Sequence, residues 1–247
     1  MKLTFLQSSS YILEHNGVKI LNDPWLVDGE YYGSWAHYPP FDFNPNDYSD
    51  IDYVFISHIH PDHISLKTLN QLNKDIPVLI HKFQTKFLKK NIENLGFSTI
   101  EIEHNQRTKL KDDLYINILA ADNCNPELCG KFLGCGTAEN KFKEMYFDSI
   151  CVVDNNTEVV VNINDCPYEL AQATLSLILE KYKKIDLLLV GYAGAGPFPQ
   201  CFEMDDKSKI NFAEKKRLQF LTQAEKFINL FKPEYFMPFA GRYVLSG

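Results

Sequence analysis

Short apolar runs dominate the first sixty residues. Residues 3–6, 10–14 and 18–21 each read as a strand, and Asn16-Gly17 lies between the second and third. That dipeptide signals a type I′ hairpin, whose two central residues both need positive φ. Residues 51–57 (Ile-Asp-Tyr-Val-Phe-Ile-Ser) form an apolar strand that feeds directly into a histidine-rich loop. Beyond it the apolar spacing becomes helical at residues 64–73 and 85–95, the latter stopped by Gly96 in the place of a C-terminal cap. Residues 77–81, 100–103, 114–120, 149–153 and 159–164 return to strand character. Residues 170–183 then read as a helix, 185–190 as a buried strand, 212–231 as a long helix and 235–239 as a last strand. Strands first, then helices mixed with further strands, predict sheets covered by helices, an α/β (α+β) architecture. No repeat, low-complexity tract or Gly/Ser/Pro-rich linker divides the chain, so one domain over residues 1–247 is expected.

Composition narrows the partners. The formal charge is 25 − 32 = −7, and the densest cationic run is Lys215-Lys216-Arg217. Phosphate contacts need concentrated cations, so no nucleic-acid partner is expected. The longest apolar stretch, residues 187–198, is broken by glycines and a proline and is too short to span a bilayer. The first residues carry no apolar core of a signal peptide, and six cysteines in such a chain read as reduced thiols. These features predict a cytoplasmic chain with no membrane span.

The chemistry is concentrated in Ser57-His58-Ile59-His60-Pro61-Asp62-His63. Core packing does not explain three imidazoles and a carboxylate within six residues, because buried histidines need hydrogen-bond partners and protonated ones repel. A metal ion resolves both problems, since neutral imidazole is a preferred ligand for zinc, iron, copper or nickel. His58 and His60 lie two apart on an extended segment and share one side, giving one ion a pair of nitrogens. Asp62 and His63, at the turn into the next helix, serve a second ion.

A strand ending in this motif, behind a β-rich N-terminal region, resembles the metallo-β-lactamase superfamily. A narrower resemblance runs through further blocks in order. These are Asn22-Asp23-Pro24-Trp25-Leu26, Tyr32-Gly33-Ser34-Trp35 with His37-Tyr38-Pro39-Pro40, Asn162-Ile163-Asn164-Asp165-Cys166, Tyr192 to Pro199, and Met237 to Tyr243. Together with the histidine cluster they are similar to the metallo-β-lactamase-type half of the CMP-N-acetylneuraminate hydroxylases, from about the first residue to the last. The superfamily resemblance implies a four-layer αββα sandwich with two metal ions at one edge. The narrower one implies hydroxylation of a CMP-linked sialic acid, with O₂ and electrons passed through a Rieske iron–sulfur module. A Rieske centre draws on paired cysteines and histidines. None of the seven histidines (15, 37, 58, 60, 63, 81 and 104) lies within three residues of a cysteine. Electrons are therefore expected from a separate electron-transfer protein, and the substrate from the wider class of nucleotide sugars or related anionic small molecules.

The resemblance also places Asp122, after the 114–120 strand, and Asp165, as a bridging aspartate after the 159–164 strand, beside the cluster. The expected metal ligands are His58, His60, Asp62, His63, Asp122 and Asp165, with Asp62, His63 and Asp165 in catalytic roles. Asn125 and Ala240-Gly241 stand where the superfamily has further histidines, so the set is rich in carboxylate. Such donors suit two divalent ions, iron first, with zinc or manganese as alternatives. An iron-dependent hydroxylase is the leading expectation. A hydrolase of phosphodiester, lactone or amide bonds using metal-activated water is the alternative, and a non-catalytic metal-binding scaffold a further one. Asp23 is expected to hydrogen-bond a histidine of the cluster, against the competing reading of a simple Asx-Pro turn. Trp35, His37 and Tyr38 form an aromatic loop for a base or sugar face. Gly194 and Gly196 expose backbone N–H groups to a phosphate, and Arg242 meets an anion. His15, His81 and His104 read as surface or loop residues, and Cys124, Cys129 and Cys135 as thiols without a close CxxC pair.

Overall fold

The computed structural model describes residues 1–121, 148–194, 196, 198–241 and 243–245. Asp122, Cys124, Asn125, Cys129, Cys135 and Arg242 lie outside the described residues. Strands β1 (Lys2–Gln7), β2 (Ser10–His15) and β3 (Val18–Asn22) open the chain, followed by β4 (Trp35–His37) and β5 (Tyr53–Phe55). Next come β6 (Val78–His81), β7 (Thr99–Ile102), β8 (Thr108–Lys109) and β9 (Tyr115–Ala120). The second half supplies β10 (Ser149–Asp154), β11 (Val159–Asn162), β12 (Leu187–Gly191), β13 (Tyr235–Phe239) and β14 (Tyr243–Leu245).

The strands make two six-stranded sheets, ordered β1-β2-β3-β5-β6-β7 and β13-β12-β11-β10-β9-β8, with β14 and β4 as a separate ribbon. In chain order each sheet begins with antiparallel neighbours and ends with parallel ones: β3, β5, β6 and β7 in the first, β11, β12 and β13 in the second. The Asn16-Gly17 turn is as predicted. His15 pairs with Val18, and φ is 49° at Asn16 and 80° at Gly17.

Alternation along each strand sorts side chains into layers, because successive residues point to opposite faces. In β10, Cys151 and Val153 join Ile20, Phe55 and Leu79 of the other sheet in a core between the sheets. Ile150 and Val152 face the other way, onto Leu175 and Ile178 of the helix Gln172–Lys181 and Phe227 and Phe231 of the helix Asp206–Phe231. On the first sheet, Val54 and Ile80 pack against Leu69, Leu88 and Ile92 from the helices Leu66–Leu69 and Phe87–Asn94. Helix, sheet, sheet and helix form the predicted αββα sandwich.

Two helices differ from the apolar pattern. The one expected at 64–73 stops after Leu69, and Leu72 is kept in register by i→i+3 bonds from Gln71 N to Thr68 O and from Leu72 N to Leu69 O. Asn70 and Asn73, weak helix formers, stand where it would continue. The long helix begins at Asp206, six residues before its apolar stripe, because Asp205 caps it by accepting the Ser208 N–H at 3.0 Å. No described helix is long and apolar enough to cross a membrane.

Candidate metal centre

Three chain segments meet beyond the ends of β3, β5 and β11. Asp23, fully buried just after β3, holds the loop that follows β5. Its Oδ1 accepts the Ser57 N–H at 2.7 Å, and its Oδ2 accepts the Ser57 hydroxyl at 2.7 Å and lies 2.9 Å from His63 Nδ1. Asp23 therefore has the histidine hydrogen bond expected of it. Ser149, the first residue of β10, donates its hydroxyl to Ser57 O at 2.9 Å and so ties the second sheet to the same loop. The N–H groups of His63 and Ile64 both reach His60 O at 2.9 Å. This turn folds His63 back over His58, with ring centroids 4.1 Å apart.

Asp165 arrives from the other sheet. After β11 the Asn162 side chain accepts the Asn164 N–H at 2.9 Å, and Asn164 takes a left-handed φ of 48°. Asn tolerates that conformation better than most residues. The turn leaves Asp165 Oδ2 3.4 Å from His63 Nε2 and 3.8 Å from His58 Nε2. His58 Nε2 is 2.8 Å from His60 Nδ1, and Asp62 Oδ2 is 3.7 Å from His63 Nε2. One donor atom each from His58, His60 and Asp165 lie within 4.8 Å of one another, as do those of Asp62, His63 and Asp165. Asp165 belongs to both sets.

The donor chemistry fits cations. Asp23 holds one ring proton at Nδ1 of His63, so Nε2 is the nitrogen that faces Asp165 and the one at which a cation would displace the second proton. Burial, reinforced by His63, pushes the His58 pKa well down and favours neutral imidazole, the ligand form. Burial also opposes charge on His63, but Asp165, Asp23 and Asp62 outweigh it and hold that ring well above its ordinary range. The Asp165 carboxyl is held low because His63, then His58 and His60, overcome its desolvation. Desolvation raises Asp62 and, more strongly, Asp148. One imidazolium among several carboxylates marks a place where a divalent ion can replace a proton.

Three neighbours of the cluster had no assigned role in the sequence. Tyr31, in a left-handed turn at φ 48°, donates its hydroxyl to Asp62 Oδ1 at 2.7 Å. Ser57 bridges Asp23 and the two buried histidines, its Oγ lying 2.9 Å from His58 Nδ1 and 3.3 Å from His63 Nδ1. Asp148, just before β10, sits 3.4 Å from His58 Nδ1. Ser57 opens the histidine motif itself, whereas no local motif marks Tyr31 or Asp148, which reach the cluster through the tertiary fold.

The other sequence candidates are dispersed. Trp35 and His37 belong to β4 and are buried. Trp35 stacks on Tyr243 of β14 at 4.6 Å, and His37 Nδ1 lies 2.6 Å from Asp28 Oδ1. Tyr38 alone of that loop is strongly exposed. Gly194 packs so closely on Phe220 that a β-carbon would lie 1.8 Å from its ring. The Gly196 carbonyl accepts from Lys216 at 3.2 Å, so both glycines are held against the long helix. The expected surface position of His81 is wrong: it is the buried last residue of β6. Its strand is internal to the sheet, which the short apolar run did not reveal.

Comparison with known proteins agrees with this architecture. The model of the beta-lactamase superfamily domain matches residues 2–122. A protein of Mycolicibacterium smegmatis described as a Rieske 2Fe-2S iron-sulfur protein is 27% identical over 251 residues, covering 98% of this chain and 43% of that protein. The cytidine monophosphate-N-acetylneuraminic acid hydroxylase of Mus musculus is 23% identical over 256 residues, covering 100% of this chain and 40% of its own length. The chain thus spans about two fifths of these relatives. Among solved structures, CmlA, a diiron beta-hydroxylase from Streptomyces venezuelae, superposes with a TM-score of 0.62 at 16% identity, over 96% of this chain and 44% of that one. The isothiocyanate hydrolase from Delia radicum gut bacteria superposes with a TM-score of 0.63 at 16% identity, over 99% and 87%. At such identities the two structures speak for the fold alone. The chain has the metallo-β-lactamase fold and is similar along its length to the CMP-N-acetylneuraminic acid hydroxylases.

Proposed function

We propose that the chain is a metal-dependent enzyme with a two-ion centre, His58, His60 and Asp165 taking one ion and Asp62, His63 and Asp165 the other. We further propose that it works as an iron-dependent hydroxylase and that residues 1–247 act as one domain. The observation that carries this reading is the pair of donor sets sharing Asp165, each within 4.8 Å. Carboxylate-rich donors favour iron, and zinc or manganese are the alternatives. When bound, such ions supply Lewis acidity and, in the case of iron, the binding and reduction of O₂.

The protein's part is orientation. Asp23 fixes the His63 tautomer, and Tyr31 occupies Asp62 Oδ1 so that Oδ2 faces the centre. His58 and His63 are buried on the inner side, whereas the Asp165 side chain is 40% exposed, leaving an open side for substrate. Similarity to the named hydroxylases supports a nucleotide sugar or related anionic small molecule as substrate. Electrons come from a donor outside these 247 residues, because no histidine has a cysteine within three positions. Free thiols at Cys151 and Cys201 suit a reducing compartment such as the cytoplasm.

A second reading, hydrolysis of a phosphodiester, lactone or amide bond, uses the same donors, and the open side at Asp165 favours it by admitting water. Metal analysis combined with oxygen uptake tests both. Two irons per chain with substrate-dependent O₂ consumption are expected. Zinc with turnover unaffected by removal of O₂ would establish the hydrolase. Absence of tightly bound metal would overturn both and leave a scaffold.

A further inference from the structure

A second site lies one strand away from the histidine cluster. Beyond β6 and β7, parallel neighbours of β5, is a cavity of about 320 Å³ lined by His81, Lys82, Phe83, Lys86, Glu103 and His104, among others. His81 is 4% exposed, and among the described residues neither of its ring nitrogens has a hydrogen-bond partner. Native interiors seldom leave such groups unpaired, and each one calls for an explanation.

The two histidines define what would satisfy them. Burial, with His104 adding to it, holds the His81 pKa to about 4, so its ring is neutral near pH 7. A neutral imidazole offers one N–H and one lone pair. A partner for both nitrogens must therefore accept one hydrogen bond and donate another. His104, whose ring centroid lies 5.6 Å from that of His81, accepts the Ala120 N–H at Nδ1 at 3.1 Å. Its own proton then resides on Nε2, which opposes a metal shared by the two rings. The lining carries two ammonium groups and one carboxylate, and Lys86 also pairs with Glu101 beside it. Lys82 pairs with Glu103, but the side chains are 48% and 58% exposed, so the pairing is weak and an incoming anion can displace it.

We propose that this cavity binds a small oxyanion that also carries an O–H group, such as hydrogenphosphate or a phosphate monoester at a similar stage of protonation. Its charged oxygens face Lys82 and Lys86, and His81 reads the hydroxyl. The volume, at the small end for ligand pockets, admits an organic group attached to the anion. The inference stands apart from the metal reading, because none of its residues belongs to the two donor sets.

Histidine-ring NMR of the whole, zinc-loaded chain tests it, with inorganic phosphate titrated at pH 7 and ionic strength held with chloride. The His81 and His104 ring signals are expected to shift saturably. Sulfate, which has no O–H at this pH, is expected to bind about tenfold more weakly, having nothing to donate to the His81 lone pair. Lys82→Ala, at the exposed rim, should weaken phosphate binding about twofold to fivefold. His81→Phe should abolish the saturable shift at His104. Absence of a saturable shift would overturn the proposal, as would unchanged binding in His81→Phe. Sulfate binding as tightly as phosphate would overturn it too, and that comparison needs no variant to fold.

Discussion

Asp23→Asn isolates the orientation of one imidazole from its presence. In the wild type, Asp23 Oδ2 receives the Ser57 hydroxyl at 2.7 Å and faces His63 Nδ1 at 2.9 Å, while Oδ1 receives the Ser57 N–H at 2.7 Å. An asparagine of the same shape keeps the bond from Ser57 N through its carbonyl oxygen. Its NH₂ then stands where Oδ2 was, and His63 must accept at Nδ1. The ring proton moves to Nε2, the nitrogen 3.4 Å from Asp165 Oδ2, and its lone pair is lost to a cation. Disturbing an outer partner of a ligating histidine weakens metal binding by about 10- to 100-fold, or about 1.4–2.7 kcal/mol. Replacing charge-assisted hydrogen bonds with neutral ones also destabilises the fold by about 1–2 kcal/mol. Competition against a chromophoric chelator measures the affinity, with circular dichroism as the control for folding. A folded Asp23→Asn chain with wild-type metal affinity would refute the proposed role of His63 Nε2.

Other outcomes follow from the same geometry. His60 is exposed, so His60→Ala should keep the wild-type circular dichroism spectrum while losing at least one retained ion per chain, as read by elemental analysis. Asp165→Ala removes the donor common to both sets and should lower the content of both ions. Tyr31→Phe removes the 2.7 Å bond to Asp62, one of the contacts that lower that carboxyl, so half-maximal metal loading should move to higher pH. His81, held near 4 by burial and then His104, with Lys86 in the same direction and Glu103 opposing, takes up its proton less readily folded than unfolded. Below pH 6.5 the unfolded chain gains a proton that the folded chain refuses, so stability is full above about 6.5 and falls by about 3 kcal/mol toward pH 4. Urea unfolding across that range should show a shallower decline in His81→Phe than in the wild type, and equal declines would refute the assignment.

The sandwich was legible because its strands repeat apolar residues and its turns carry marked residues such as Asn16-Gly17 and Gly96. The helix Asp206–Phe231 was seen only from 212 onward, since its first turn is polar and its start depends on the Asp205 cap. β4 and β14 escaped notice because each is three residues long and its partner lies some two hundred positions away. In the site, the compact motif from His58 to His63 declared itself. Asp148 and Tyr31 did not, as an isolated acid and an isolated tyrosine acquire meaning only from what the fold sets beside them. Trp35 and His37 looked like a binding loop in the sequence, yet pairing with β14 and packing on Trp25 and Tyr243 put them in an aromatic core.

Anomalous diffraction from crystals of the metal-loaded protein, recorded on both sides of the iron and zinc edges, tests the two-ion centre most directly. Two peaks about 3.5–4 Å apart are expected, as in other two-metal sites. One should lie within bonding distance of His58, His60 and Asp165, and the other of Asp62, His63 and Asp165. Crystals with no anomalous peak among these side chains, or with Asp165 bound to neither ion, would contradict the account.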